Sequence, residues 1–188
     1  ALSALSCWML GLVMLIFVGI SEGRSWSIDG TRYGESLELS QQDTLVLLVN
    51  ERYKIPENLY IDHNVFQLAS NNMIAPDIRI YSAEGSTPTL RVQFYTQEEK
   101  PVYDNMDFNW NYKNDTLRFD NYIKLAGQWR AQRVTLTLYL PENKKVLLPS
   151  QTSQYLRNLR DFDRGVRSRL NKDKILLIMQ DGKLQPLM

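Results

Sequence analysis

Asp107, Asn109 and Asn111 stand at every second position of the run NMDFNWNY, the spacing at which oxygen ligands open a helix-loop-helix calcium loop. Such a loop needs glycine at its sixth position for a sharp turn and a bidentate glutamate at its twelfth. Tyr112 and Arg118 stand there instead, so the same three residues read as the polar face of an exposed strand. Asp62 beside His63 is an imaginable acid–base pair, but no nucleophile, metal partner or phosphate-cradling glycine loop accompanies it, and a histidine in a turn is the simpler account. Asn114-Asp115-Thr116 is by letter a glycosylation sequon, and an Asn-Asp hairpin turn explains it equally well. Cys7 is the one cysteine and His63 the one histidine, which removes an internal disulfide and the usual thiolate or histidine zinc sets. No catalytic constellation, metal site or cofactor is expected.

The segment 151–174 offers a different chemistry. Its arginines and lysines exceed its aspartates to give a local charge of +4, while Leu156, Leu159, Phe162, Val166 and Leu170 recur at helical intervals. As a helix it would present Arg157, Arg160, Arg164 and Arg167 to anionic headgroups or to a partner. As an ordinary surface helix it would lay its leucines on a sheet and leave the arginines solvated. Gly165, in the interior, also allows a charged loop with a helical turn or two. Nucleic acid is not an expected partner, because the net charge is only +1 and this segment lacks interleaved aromatics.

The elements that must position these residues are strands. From Arg133 to Leu140 the chain alternates Val134, Leu136, Leu138 and Leu140 with Arg133, Thr135, Thr137 and Tyr139, the period of a half-buried strand. Pro141 ends its ladder, Asn143 suits a left-handed turn position, and a second strand follows over 145–148. Apolar runs or alternations at 43–50, 59–68, 77–83, 89–96, 105–112 and 175–179 read as further strands. The pair 77–83 and 89–96 reads as a hairpin closed by residues 84–88. Lys113-Asn114-Asp115 and Asp181-Gly182 read as tight turns.

Residues 1–21 carry no charge and are almost wholly apolar from Trp8 to Ile20, just long enough to cross a bilayer as a helix. A signal peptide is the alternative, disfavoured by the uncharged start and the lack of a small-x-small cleavage site. Residues 22–36, with three glycines, read as a connector, and 37–188 as the β-rich domain with 151–174 as an insertion.

The stretch YKNDTLRFDNYIKLAGQWRAQRVTLTLYLPENKKVLL, residues 112–148, resembles the β-rich C-terminal region of the PspC-domain (phage-shock-protein-C-type) envelope proteins of Bacteroidetes-type bacteria. The matching pieces are the hairpin 112–120, Trp129-Arg130-x-Gln132, and Leu138-Tyr139-Leu140-Pro141. Asn143 replaces a glycine common in such relatives, a tolerable exchange because asparagine also reaches positive φ. The PspC segment itself is not in this chain, and the resemblance implies a longer protein carrying it upstream.

The fold expected is therefore all-β, a sandwich or solenoid-like stack of short, mostly antiparallel strands, preceded by one transmembrane helix. The function expected is a non-catalytic sensing, binding or scaffold module of the bacterial inner membrane. Its β domain is expected in the periplasm, on the resemblance alone, and its partners would be the lipid bilayer and an envelope protein. The competing reading is a secreted or surface β-sandwich for adhesion or carbohydrate binding. Trp129, Arg130 and Gln132 lie outside the strand alternation, which assigns them a structural part. Trp129 would cap the core end, with Arg130 or Gln132 bonding nearby loop backbone.

Overall fold

A computed structural model describes residues 9, 11–16, 31–53, 73–96, 105–126, 131–158, 166 and 174–187. Its strands are β1 (Thr31–Glu38), β2 (Thr44–Asn50), β3 (Met73–Ile74), β4 (Asp77–Ser82), β5 (Thr89–Thr96), β6 (Met106–Asp107), β7 (Trp110–Lys113), β8 (Thr116–Asp120), β9 (Ile123–Leu125), β10 (Arg133–Leu140), β11 (Lys145–Leu148), β12 (Ile175–Gln180) and β13 (Lys183–Pro186). They form a four-stranded sheet ordered β1-β5-β10-β4, a six-stranded sheet ordered β13-β12-β11-β2-β8-β7, and a small sheet ordered β3-β9-β6.

Period-two patterning decides which residues enter the core. Val134, Leu136, Leu138 and Leu140 of β10 are fully buried, as are Ile78, Leu90 and Val92 of its neighbours. Leu45, Leu47, Leu117, Phe119, Val146, Leu148 and Leu177 supply the facing layer from the six-stranded sheet, and one apolar cluster contains both sets. Each aliphatic side chain so buried contributes about 1.5–3 kcal/mol through removal from water. Tyr155 ties the layers together: its ring meets Phe119 edge-on at 5.8 Å, and its carbonyl accepts the Ile78 N–H at 2.9 Å.

The path of the chain is coiled. It visits the six-stranded, small and four-stranded sheets in the same order twice, as β2, β3, β4 and then as β8, β9, β10, and each second-pass strand pairs with its counterpart. The β2–β8 and β4–β10 pairs are parallel, the β3–β9 pair antiparallel. β11 then re-enters the six-stranded sheet parallel to the other side of β2. The fold is all-β with mixed sheets, in which antiparallel pairings predominate among the described ladders.

Turn chemistry follows the residues. Asn114 and Asp115 have φ of 49° and 54°, closing the β7–β8 hairpin through two left-handed residues, and Asp181 and Gly182, at 51° and 71°, do the same for β12–β13. Asn143 has φ 66°, so asparagine holds the left-handed position between β10 and β11.

Three expectations need correction. β4 and β5 do not form a hairpin: β10 lies between them, parallel to β4 and antiparallel to β5. Their alternation marks a buried face on each strand, but the loop joining them is long enough to span an intervening strand. The 105–112 strand is two strands, β6 in the small sheet and β7 in the six-stranded sheet, although Met106 and Phe108 are buried as the alternation requires. β1 begins inside the segment read as connector. Its side chains from Arg32 to Glu38 are all exposed, so an edge ladder to β5 holds it without a buried face. In the basic segment, among the described residues, a helix covers Ser150–Ser153, Leu156 past it bridges to Ile78, and Val166 is again helical. Leu156 and Val166 are buried in the core.

Met9 and residues 11–16 are helical, with Met14 68% and Leu15 73% exposed. Among the described residues no helix is long and apolar enough to cross a membrane. The expected pair of short strands within 59–68, with Asp62 and His63 in the turn between them, lies outside the described residues.

Candidate functional site

Arg52 and Tyr53, just past the end of β2, meet the end of β8 and the break between β6 and β7. The Arg52 guanidinium donates through Nη1 and Nη2 to Asp107 at 2.8 and 3.1 Å, and through Nη1 to Asp120 at 3.1 Å. The Tyr53 hydroxyl donates to Asp107 at 2.6 Å. Asp120, almost fully buried, also accepts the Asn109 N–H at 2.9 Å and its side-chain amide at 3.1 Å. Asn121 completes the node by exchanging two bonds with the Tyr53 backbone. The Tyr53 hydroxyl, aided by the Arg52 guanidinium, holds the Asp107 carboxyl below its ordinary value against the opposing effect of desolvation. Burial, reinforced by Asp107, pushes Tyr53 up to about 12. Every charge here is matched, and the donors all serve to fasten strand ends. Asp107 and Asn109, two members of the discarded calcium spacing, work in this node as a carboxylate for Arg52 and a donor to Asp120.

A second node is equally inward. Lys144 is buried, and its ammonium donates to the carbonyls of Ser40, at 3.0 Å, and Gln42. Burial pushes its pKa below the ordinary value, with Asp115 and Asp43 opposing. Asp115 accepts bonds from the Tyr112 hydroxyl at 3.0 Å and from the Ser40 hydroxyl. The residues bracketing the β7–β8 turn thereby hold the segment leading into β2.

The outer face of the four-stranded sheet is built differently. The register sets Arg32, Tyr95 and Arg133 in one row across β1, β5 and β10. Two rows on stand Ser36, Arg91, Thr137 and Arg79, and beyond them Glu38, Thr89, Tyr139 and Tyr81. Arg133 and Arg32 lie 4.6 and 5.9 Å from the centre of the Tyr95 ring, and Arg91 lies 5.7 Å from that of Tyr139. Tyr81 and Tyr139 stack at 6.1 Å. Arg32, Arg79, Tyr81, Tyr95, Arg133 and Tyr139 line an open concavity of about 340 Å³. Asp77, at one margin, accepts a 2.8 Å bond from Arg157 and lies 3.9 Å from Arg79.

The residues singled out from sequence scatter around this face. Tyr139 is on it, Arg157 borders it through Asp77, and half-buried Pro141 follows directly on β10. Gln132 is buried just before β10. Trp129, Arg130, Arg160, Arg164 and Arg167 lie outside the described residues. The residues that sequence reasoning passed over are Arg32, Arg79, Tyr81, Arg91, Tyr95 and Arg133. Their signal was present as arginine and tyrosine at the outward positions of alternating strands, but their convergence depends on the strand order.

An all-β module of mixed sheets, with one arginine-tyrosine face and no metal-binding group of His, Cys, Asp and Glu among the described residues, is the class this geometry defines. Residues 95–186 match the family model described as ToastRack found in some PspC. The matched span runs from the end of β5 through β13, yet β2 is an inner strand of one sheet and β4 and β5 flank β10 in another. The preceding strands therefore complete the folded unit. No curated protein and no solved structure matches the chain.

Proposed function

We propose that the chain is a membrane-anchored, non-catalytic β module of a PspC-type envelope protein, acting by sensing, binding or scaffolding. The ToastRack match over residues 95–186 is the observation that carries this reading. The exposed apolar side chains of Met9, Leu12, Val13, Met14, Leu15 and Ile16 support the anchor, since lipid would cover what the β domain leaves bare. The non-catalytic part rests on how the ionisable groups are used: Arg52, Asp107, Asp120 and Lys144 are all engaged in fastening strands and loops. On this reading the β domain stands on the periplasmic side of the bacterial inner membrane, where a protein partner in the envelope is available and nucleic acid is not.

Alkaline carbonate extraction of membranes containing the intact chain tests the anchor. Retention in the pellet is expected. Release into the supernatant, or cleavage near Glu22, overturns it in favour of a secreted domain.

A further inference from the structure

We infer that the arginine-tyrosine face of the four-stranded sheet is a docking surface for anionic phospholipid headgroups. Four arginines share this face, Arg32, Arg79, Arg91 and Arg133, against Asp77 and Glu38. Asp77 is already engaged by Arg157 and Arg79, and among the described residues no carboxylate lies within ion-pair distance of Arg32, Arg91 or Arg133. A face made for solubility alone would intersperse both signs.

Among the described residues, arginine is the only cation on the face. Its planar fork of N–H donors fits two phosphate oxygens at once, whereas lysine acts as a point charge. The tyrosines sharpen that choice. Each ring that packs under a guanidinium restricts its motion and leaves its edge donors free, so less side-chain freedom is lost when a phosphate arrives. Tyrosine also combines an apolar ring with a polar hydroxyl, the character that suits the headgroup level of a bilayer. The concavity lies open on the outer face of a four-stranded sheet, where a headgroup can reach it from solvent.

The chain's own order selects a membrane over a free polymer. Arg32 is the second residue of β1, and only residues 22–30 separate that strand from the apolar stretch 1–21. Nine residues reach about 30 Å when fully extended. The edge of the face is thus held near wherever the apolar stretch lies. This last step rests on the membrane anchor proposed above, while the chemistry of the face does not.

The test separates the two. The intact chain, purified in a neutral detergent, is titrated with phosphatidylglycerol bearing six-carbon chains, with the matching phosphatidylcholine, with inorganic phosphate and with polygalacturonate, following tyrosine and tryptophan fluorescence. Phosphatidylglycerol is expected to bind saturably and at least tenfold more tightly than the other three. The double variant R91Q/R133Q is expected to weaken that binding about tenfold or more, with an unchanged melting temperature. Should the double variant unfold, Arg32→Gln on the exposed edge strand provides the reading, with an expected loss of about threefold. Equal binding of phosphatidylcholine, or no loss in the folded variants, overturns the proposal. Equal or tighter binding of phosphate or polygalacturonate overturns it too, in favour of a free anion or an acidic polymer. Because the short-chain lipid is offered in solution, a failure of the membrane anchor leaves this result standing.

Discussion

Arg52 and Arg133 both sit at the ends of strands and both lie over tyrosine rings, at 5.2 Å over Tyr53 and 4.6 Å over Tyr95. Arg52 has two aspartates, one of them almost fully buried; Arg133 has no carboxylate among the described residues. The first arrangement turns an arginine into a rivet, because its donors are consumed within the fold. The second leaves the donors unclaimed by any carboxylate among the described residues. Partners, more than residue type or exposure, therefore separate a charge that stabilises the fold from one available to a ligand.

The comparison can be broken in several places. The largest effect belongs to Asp120→Ala, which strips acceptors from Arg52, from the Asn109 N–H and from the Asn109 side chain. A loss of about 1.5–3 kcal/mol is expected in denaturant unfolding, since it removes the bonds that an almost fully buried carboxylate accepts. A loss below about 0.5 kcal/mol would show that the node is not structural. Tyr53→Phe deletes one charge-assisted bond to Asp107 and should cost about 0.5–1.5 kcal/mol by the same measurement.

The pH dependence follows from Asp107. Its folded value lies below the ordinary 3.8, so its stabilising contribution is fully present above that pH and is lost as pH falls through the lowered value. Asp107→Asn should flatten this part of the acid-unfolding profile, read by circular dichroism between about pH 2 and 4, while leaving its shape near neutrality alone. Solvent screening at this half-exposed carboxylate keeps the effect modest. The smallest stability change is expected for Arg91→Gln, within about 0.5 kcal/mol of the parent, as for a surface side chain with no ion pair. A large loss there would place Arg91 with the rivets.

Much of the fold was legible because turns and strand faces are written locally. The alternation of β10, the left-handed Asn143, and the Asn114-Asp115 and Asp181-Gly182 turns all depend on adjacent residues, and all appear in the structure. Partners are not written locally. The alternating residues of β4 and β5 declared their buried faces but could not declare that β10 would lie between them. β1 was missed because a strand exposed on both faces leaves no periodic trace. In the basic segment, Leu156 is buried as its spacing suggests, yet what holds it there is a bridge to Ile78 flanked by bonds linking Tyr155, Arg157 and Asn158 to the Ile78 and Ile80 backbone. The candidate site was illegible for the same reason as the pairings. Arg52 lies 55 residues from Asp107 and 68 from Asp120, and the arginine rows exist only once the sheet order is known.

The passage of β10 between β4 and β5 has a consequence in time. As the chain leaves the ribosome, β4 emerges with its ladder groups unmet, and β2 with both neighbours, β8 and β11, still to be made. At about 5–20 residues per second, β4 waits on the order of several seconds for β10. During that interval the first half presents apolar strands to the cell, a state prone to aggregation. Truncation after β5 should accordingly yield an insoluble fragment. A nascent-chain protease assay should find protection appearing abruptly once Leu140 has cleared the exit tunnel.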